Sequence, residues 1–217
     1  MKWKRTRHSH QAKQDFGYKQ HKQAQLEALK QVAQLGCIEL MYLDESGCQL
    51  WSPASYSYSR VGEQKRIEQT DRRKGRISIL GVWQPEQSFK YALACGSFKS
   101  ESYIKVIDWV AQLASQTLKA TGRMTVVVQD NGSLHTSHLT RQQWQRWHSQ
   151  GLFLFFLPPY CSEMNRIEAQ WHQLKTHEIA GRMFEDEYDL ALAIMNGMEA
   201  RSLKGGYTLE RFKFNCA

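Results

Sequence analysis

The chain has 217 residues, 41% hydrophobic and 23% charged, which suits one domain with a buried core and excludes a disordered tail. Five widely spaced cysteines (Cys37, Cys48, Cys95, Cys161, Cys216) form no C-x-x-C pair, which argues against a disulfide scaffold or zinc ribbon and for reduced thiols in the cytoplasm. Of the net charge of +8, residues 1–35 carry +6: eight Lys or Arg against Asp15 and Glu27.

A basic arm on a nearly neutral body predicts a polyanionic partner, nucleic acid above all, with a merely solubilising arm as the alternative. The basic start, MKWKRTRHSH, has no apolar stretch behind it and is not read as a secretory signal. No apolar run approaches the roughly 20 residues of a membrane span, so no membrane partner is expected. Within residues 11–35, Leu26, Leu29, Val32 and Ala33 fall at helical spacing and Gly36 ends the pattern. The segment CIELMYLDE reads as a strand running out into acids. Residues 52–75, Ser/Tyr-rich and then basic, read as an irregular insertion beginning at about residue 48. Arg76–Trp83 and Phe89–Gly96 form a predicted antiparallel pair across a short link.

An amphipathic helix follows from Ser100 to about Lys119, with Tyr103, Ile104, Ile107, Val110, Ala111 and Ala114 on one face. Met124–Asp130 is an apolar run of the kind found in central strands covered on both sides. A helix from Ser137 to Ser149, a buried strand Leu152–Leu157 ended by Pro158 and Pro159, and helices over Arg166–His177 and Glu185–Leu203 complete the pattern. The tail from Lys204 is weakly patterned. The predicted class is α/β: one mixed sheet, an antiparallel three-stranded meander plus two parallel strands, with helices on both faces. The expected division is a basic helical arm over 1–36, a body over 37–203 and a tail over 204–217.

Asp44 and Asp130 each stand where a buried strand becomes a turn, the position at which open α/β sheets collect function. If their strands are parallel neighbours, the carboxylates face each other across about 5 Å. Like charges that close raise each other's pKa unless a cation lies between them. Two hard divalent ions would satisfy the pair and clamp both oxygens of a phosphoryl transfer. Glu168, at the start of a helix, can complete the cage. Each acid also has a plain structural reading: turn chemistry for Asp44 and Asp130, and a capping box with Asn165 for Glu168.

The surrounding segments YLDESG (Tyr42–Gly47), DNGSLH (Asp130–His135) and LPPYCSEMNRIEAQWHQLK (Leu157–Lys175) strongly resemble the catalytic segments of DDE transposases of the mariner superfamily, in its bacterial insertion-sequence branch. The family's wording is a D-E-S/A strand end, D-N-A-P-x-H, and L-P-P-Y-S-P-E-L-N-P-I-E-x-x-W. The resemblance spans about Lys2 to Leu203. Gly132 and Ser133 stand in place of Ala-Pro, Cys161 and Ser162 in place of Ser-Pro, and Arg166 in place of the proline after Asn165.

The resemblance implies an RNase H-like fold and a transposase catalytic domain that cleaves and transfers DNA strands at insertion-sequence ends. It implies Asp44, Asp130 and Glu168 as catalytic metal ligands for two Mg²⁺ ions, with Mn²⁺ as a substitute. Asn131, His135 and Asn165 are then candidates for orienting the acids or touching DNA. Lys2, Lys4, Arg5 and Arg7 on the arm, and Lys65, Arg66, Arg72, Arg73 and Lys74 on the insertion, are the expected phosphate contacts, with little sequence preference. A homodimer on DNA and a helix-turn-helix reader from a separate or frameshift-fused frame are expected partners in the cytoplasm, at the nucleoid. A catalytically inactive DNA-binding remnant and another RNase H-like nuclease, such as a resolvase, are the alternatives.

Overall fold

A computed structural model describes residues 11–52, 61–63 and 75–214. A short 3-10 turn at Gln11–Lys13 leads into α1 (Phe16–Gln34), whose N-terminus is capped by the Asp15 carboxylate accepting from the Tyr18 N–H at 3.0 Å. The chain then forms β1 (Ile38–Gln49), β2 (Trp51–Ser52), β3 (Arg76–Gln84), β4 (Ser88–Cys95) and α2 (Ser100–Thr121). After α2 come β5 (Met124–Gln129), α3 (His138–Arg141), α4 (Trp144–Ser149), β6 (Leu152–Phe156) and α5 (Glu168–Leu174), which runs into a π turn, Lys175–Ile179. The chain ends in β7 (Arg182–Met183), α6 (Glu187–Gly205) and β8 (Thr208–Phe212).

The main sheet has six strands in the order β6-β5-β1-β3-β4-β8. β1, β3 and β4 form the expected antiparallel meander, and β5 and β6 add parallel to β1. The weakly patterned tail supplies one strand more, since β8 pairs in parallel with β4. Its residues are half-buried or exposed, so it lacks the apolar run that marked β5. β2 and β7 make a separate two-stranded ribbon.

Strand alternation divides the core into two layers. Leu40 and Tyr42 of β1, with Ile79, Phe89, Val126 and Val128, pack under α1, α5 and α6 through Leu26, Trp171, Leu174 and Ile194. Met41 and Leu43, with Leu80, Val82 and Val127, pack under α2 and α4 through Val106, Ile107, Val110 and Trp147. Helix α1, grouped by charge with the basic arm, therefore belongs to the packed body: Leu26 is 2% exposed, and Leu29 and Ala33 lie against the same layer.

Two helices differ from expectation. The segment over 137–149 is broken into α3 and α4; the Thr140 hydroxyl donates to the Leu134 carbonyl at 3.0 Å and bonds Ser137 Oγ at 2.9 Å, local contacts that compete with helix continuation. The segment over 166–177 is α-helical only from Glu168 to Leu174 before it widens into the π turn.

The approach of α5 to the sheet depends on Gly81. A Cβ at that position would lie 2.5 Å from Trp171 Cη2 and 2.9 Å from Phe89 Cε1, so the indole ring takes the space of the missing side chain. Trp171 meets Phe89 edge-to-face at 5.6 Å. Gly81→Ala is expected to lower the unfolding free energy by about 1–3 kcal/mol, the usual cost of overpacking, measured by urea denaturation.

Candidate active site

β1 and β5 are parallel neighbours with Tyr42 opposite Val128. Two residues beyond that pair, Asp44 still lies within β1 and Asp130 directly follows Gln129, the last residue of β5, so both acids stand at the same end of the sheet. Alternation puts Asp44 on the face of Tyr42, which is the face covered by α5, whose first residue is Glu168. Glu45 points to the other face and pairs with Arg76 at 3.8 Å. Across the sheet, the β3 partner of Asp44 is Gly81, the residue over which Trp171 of α5 lies.

Asn165 holds the third acid in place. The capping-box reading is corrected here: the N-terminal flank of α5 is Ile167, and no side chain caps the helix. The Asn165 side chain instead crosses 122 positions of sequence to donate from Nδ2 to the Leu43 carbonyl at 2.8 Å. Asn165 is 4% exposed and its Oδ1 has no partner. Its tether reaches the residue directly before Asp44, so the loop delivering Glu168 is fixed to the strand delivering Asp44. The same loop is held from outside by the start of α1. Lys19 pairs with Glu163 at 2.6 Å, and Gln14 Nε2 donates to the Tyr160 carbonyl at 2.6 Å and to Glu163 Oε1 at 3.3 Å. Tyr160 adopts φ +60°, a left-handed conformation rare for a bulky residue. Nothing in the motif spacing pointed to Gln14 or Lys19, and Glu163, although inside the quoted motif, was given no role there.

The electrostatics of the acids diverge. Burial raises the Asp44 carboxyl to about 7, helped by the neighbouring charges of Asp130 and then Glu168, and opposed by the Glu45 backbone N–H and by His135. Asp130 is held below the usual carboxylate range, first by its bond to His135 and further by the Gly132 N–H. His135 Nδ1 lies 2.6 Å from Asp130 Oδ1 and 3.2 Å from the Asp130 carbonyl, and Gly132 N–H donates to Oδ1 at 3.2 Å. Nδ1 between two acceptors must carry the proton. His135 is 4% exposed and its ring lies against Tyr103 at 4.9 Å; Tyr103 donates to Gln129 Oε1 at 2.7 Å. Asp130 Oδ1 is thus engaged by both His135 and Gly132.

The donor set, three carboxylates and no thiolate, suits hard divalent cations, and the mutual repulsion felt at Asp44 is the strain a cation would relieve. Among the described residues no three His, Cys, Asp or Glu side chains already close on one point. Asn131 is exposed beside Asp130. The arm residues Lys2, Lys4, Arg5 and Arg7, and Lys65, Arg66, Arg72, Arg73 and Lys74 of the insertion, lie outside the described residues. Cys37, Cys48, Cys95 and Cys161 are free thiols, and no helix among the described residues is long and apolar enough to cross a membrane.

Residues 39–191 match the family model of the DDE superfamily endonuclease. The chain belongs to that family. All three acids of this DDE endonuclease fall inside the matched span. No curated protein matches it. Among solved structures it is similar to the catalytic domain of Mos1 mariner transposase, at 11% identity and a TM-score of 0.59 over 90% of this chain and 85% of that one. It is also similar to the mariner Mos1 paired end complex with Mg, at 14% identity and a TM-score of 0.66 over 98% of this chain and 68% of that one. A Mos1 transposase paired-end complex with left transposon end gives 12% identity and a TM-score of 0.62 over 95% of this chain; the DDE endonuclease spans 65% of that chain. At these identities the likeness is one of fold, and the RNase H-like architecture is the one anticipated from the motifs.

Two measurements probe this geometry. Asn165→Ala leaves the Leu43 carbonyl without its buried donor and is expected to lower stability by about 1–3 kcal/mol in urea denaturation. A carboxyl whose pKa is raised by folding binds its proton more tightly in the folded protein than in the unfolded chain. The Asp44 contribution to stability is therefore full below the unfolded value of about 4 and falls as pH rises through about 7. Asp44→Asn is expected to flatten that fall, followed as melting temperature against pH.

Proposed function

We propose that this chain is the catalytic domain of a transposase, which cuts DNA strands at the ends of an insertion sequence and joins them to target DNA using two Mg²⁺ ions, or Mn²⁺ in their place. The observation that carries the reading is the placement of Asp44 in β1 and of Asp130 directly after its parallel neighbour β5, with Glu168 opening α5 and the charges of Asp130 and Glu168 both acting on the Asp44 carboxyl. Such ions, when bound, offset carboxylate repulsion and make water or a 3′-hydroxyl a nucleophile at neutral pH.

The chain's own residues have separate tasks in this reading. Asp44 must give up its proton to act as a ligand, and its raised pKa delays that step in the metal-free protein until pH passes about 7. His135 keeps Asp130 ionised and engages its Oδ1. Asn165 holds the start of α5, and Glu168 with it, against β1. A covalent protein intermediate has no role, since the nucleophile comes from water or from DNA. The reading carries with it, from the family resemblance, a homodimer on DNA and a helix-turn-helix region from a separate or frameshift-fused frame, at the nucleoid in the cytoplasm.

Strand cleavage and joining on DNA carrying element ends, with Mg²⁺ or Mn²⁺, is the direct test. The wild type is expected to cut, and Asp44→Asn, Asp130→Asn and Glu168→Gln to fall to background; equal activity in the wild type and Asp130→Asn overturns the assignment. In the absence of DNA, Mg²⁺ is expected to raise the melting temperature of the wild type, more above pH 7 than below it, and to leave that of Asp130→Asn unmoved.

A further inference from the structure

Among the described arginines, Arg166 and Arg141 are held on aromatic rings rather than on an acid, Arg141 over Trp144 alone and Arg166 over two rings, while Arg211 meets Met195. Arg76, Arg123 and Arg146 each pair with a carboxylate, of Glu45, Glu39 and Asp108 respectively. Arg182 donates to the Glu178 carbonyl and Arg201 to Gln170. Arg166 is exposed and is paired with no acid among the described residues. Its guanidinium lies over two aromatic rings, 5.8 Å from the centroid of Tyr42 and 5.6 Å from that of Trp83. Ring faces attract and orient a cation but leave its charge and its donors available to an anion. Both supporting rings are themselves fixed, Tyr42 at 1% and Trp83 at 8% exposure.

The surroundings form an open cleft of about 430 Å³ between the C-terminal half of α1, the start of β1 and the end of β3. Besides Arg166 it is lined by Lys30, Arg123, Tyr42, Glu39 and Gln84, with the exposed Glu86 as a further acid. Glu39 is held by Arg123 at 2.8 Å and by Gln84, and Lys30 is held by Glu27 at 2.8 Å. The Tyr42 hydroxyl is buried without a hydrogen bond of ordinary geometry; Lys30 and Arg166 are the positive charges acting on it, and Arg166 turns a donor toward it at the edge of hydrogen-bond reach. The one cation here with neither an acid nor a carbonyl is therefore Arg166.

Its place in the chain relates it to the acids. Arg166 precedes Glu168 by two residues, and Tyr42 precedes Asp44 by two on the same face of β1, a separation of roughly 6.7 Å along the strand. We propose that Arg166 is a DNA-positioning residue whose guanidinium, oriented on Tyr42 and Trp83, binds a backbone phosphate of the strand lying at the acids. The proposal rests on the DNA-cleavage reading above. Proline, the family's usual residue after this asparagine, carries no charge, so the contact belongs to this chain rather than to the motif. A planar fork matches two phosphate oxygens at once, and a fork already held on rings loses little freedom on binding.

The test is fluorescence anisotropy of the whole chain on a labelled DNA duplex of arbitrary sequence, without metal, across about 50–200 mM NaCl. Arg166→Gln is expected to lower the slope of log affinity against log salt by about 0.9, the signature of one lost phosphate contact, and Arg166→Lys to restore it. Arg166→Met, which still covers the two rings, is expected to lose the same slope, and melting curves check that each variant is folded. A wild-type slope retained by folded Gln or Met variants, in a protein that binds DNA, overturns the role of Arg166 alone. A wild type that binds no duplex overturns both this role and the DNA-cleavage reading.

Discussion

Parallel pairing of β1 with β5 brings two carboxylates to the same end of the sheet, and much of the rest of the molecule answers that constraint. A central strand pair cannot spread its ends without losing the ladder, so Asp44, within β1, and Asp130, the first residue after β5, stay close to one another. The repulsion is met unequally. Asp130, half exposed, keeps its charge by accepting from His135 and the Gly132 N–H, whereas Asp44, deeper in, holds its proton up to about pH 7. One fold position thus produces two chemically different carboxylates, in the way that paired acids acquire distinct roles elsewhere.

Support for these acids comes from elements far away in sequence. Trp171 can come up against β3 because Gly81 offers no Cβ, and that contact sets how close α5 comes to the sheet. Asn165 then fixes the start of the same helix through the Leu43 carbonyl. The chain Trp147–Tyr103–His135–Asp130 performs a similar service from the opposite layer: Tyr103 meets Trp147 edge-to-face at 6.4 Å and supports the imidazole that orients Asp130. Glu168 and Asp130 are each backed by buried aromatic residues.

The three acids could be proposed from the sequence because Asp44 and Asp130 close apolar strand patterns and all three stand within long ordered motifs. Their neighbours were less legible. Asn165 and Glu168 have the spacing of a capping box, a local signal, and only the folded chain reveals that the asparagine serves a strand 122 positions away. Gly81 looks like any strand glycine until the tryptophan above it is placed. β8 was missed since an exposed edge strand needs no apolar pattern; its partner β4 supplies the hydrogen bonds. Charge clustering read α1 as an arm, but helical spacing of Leu26, Leu29 and Ala33 was the truer sign, and the structure packs that face onto the sheet.

The contacts of Gln14 and Lys19 with Tyr160 and Glu163 bear on how experiments with shortened chains are to be understood. Cutting away the first 35 residues deletes more than positive charge. It uncovers the apolar layer beneath Leu26 and frees the loop that carries Asn165 and Glu168 from its outer anchor. An inactive truncated protein would be as consistent with a slackened catalytic loop as with lost affinity for DNA. Neutralising single charges ahead of Gln11 leaves that anchor intact, and so separates attraction to the nucleic acid from the rigidity of the site.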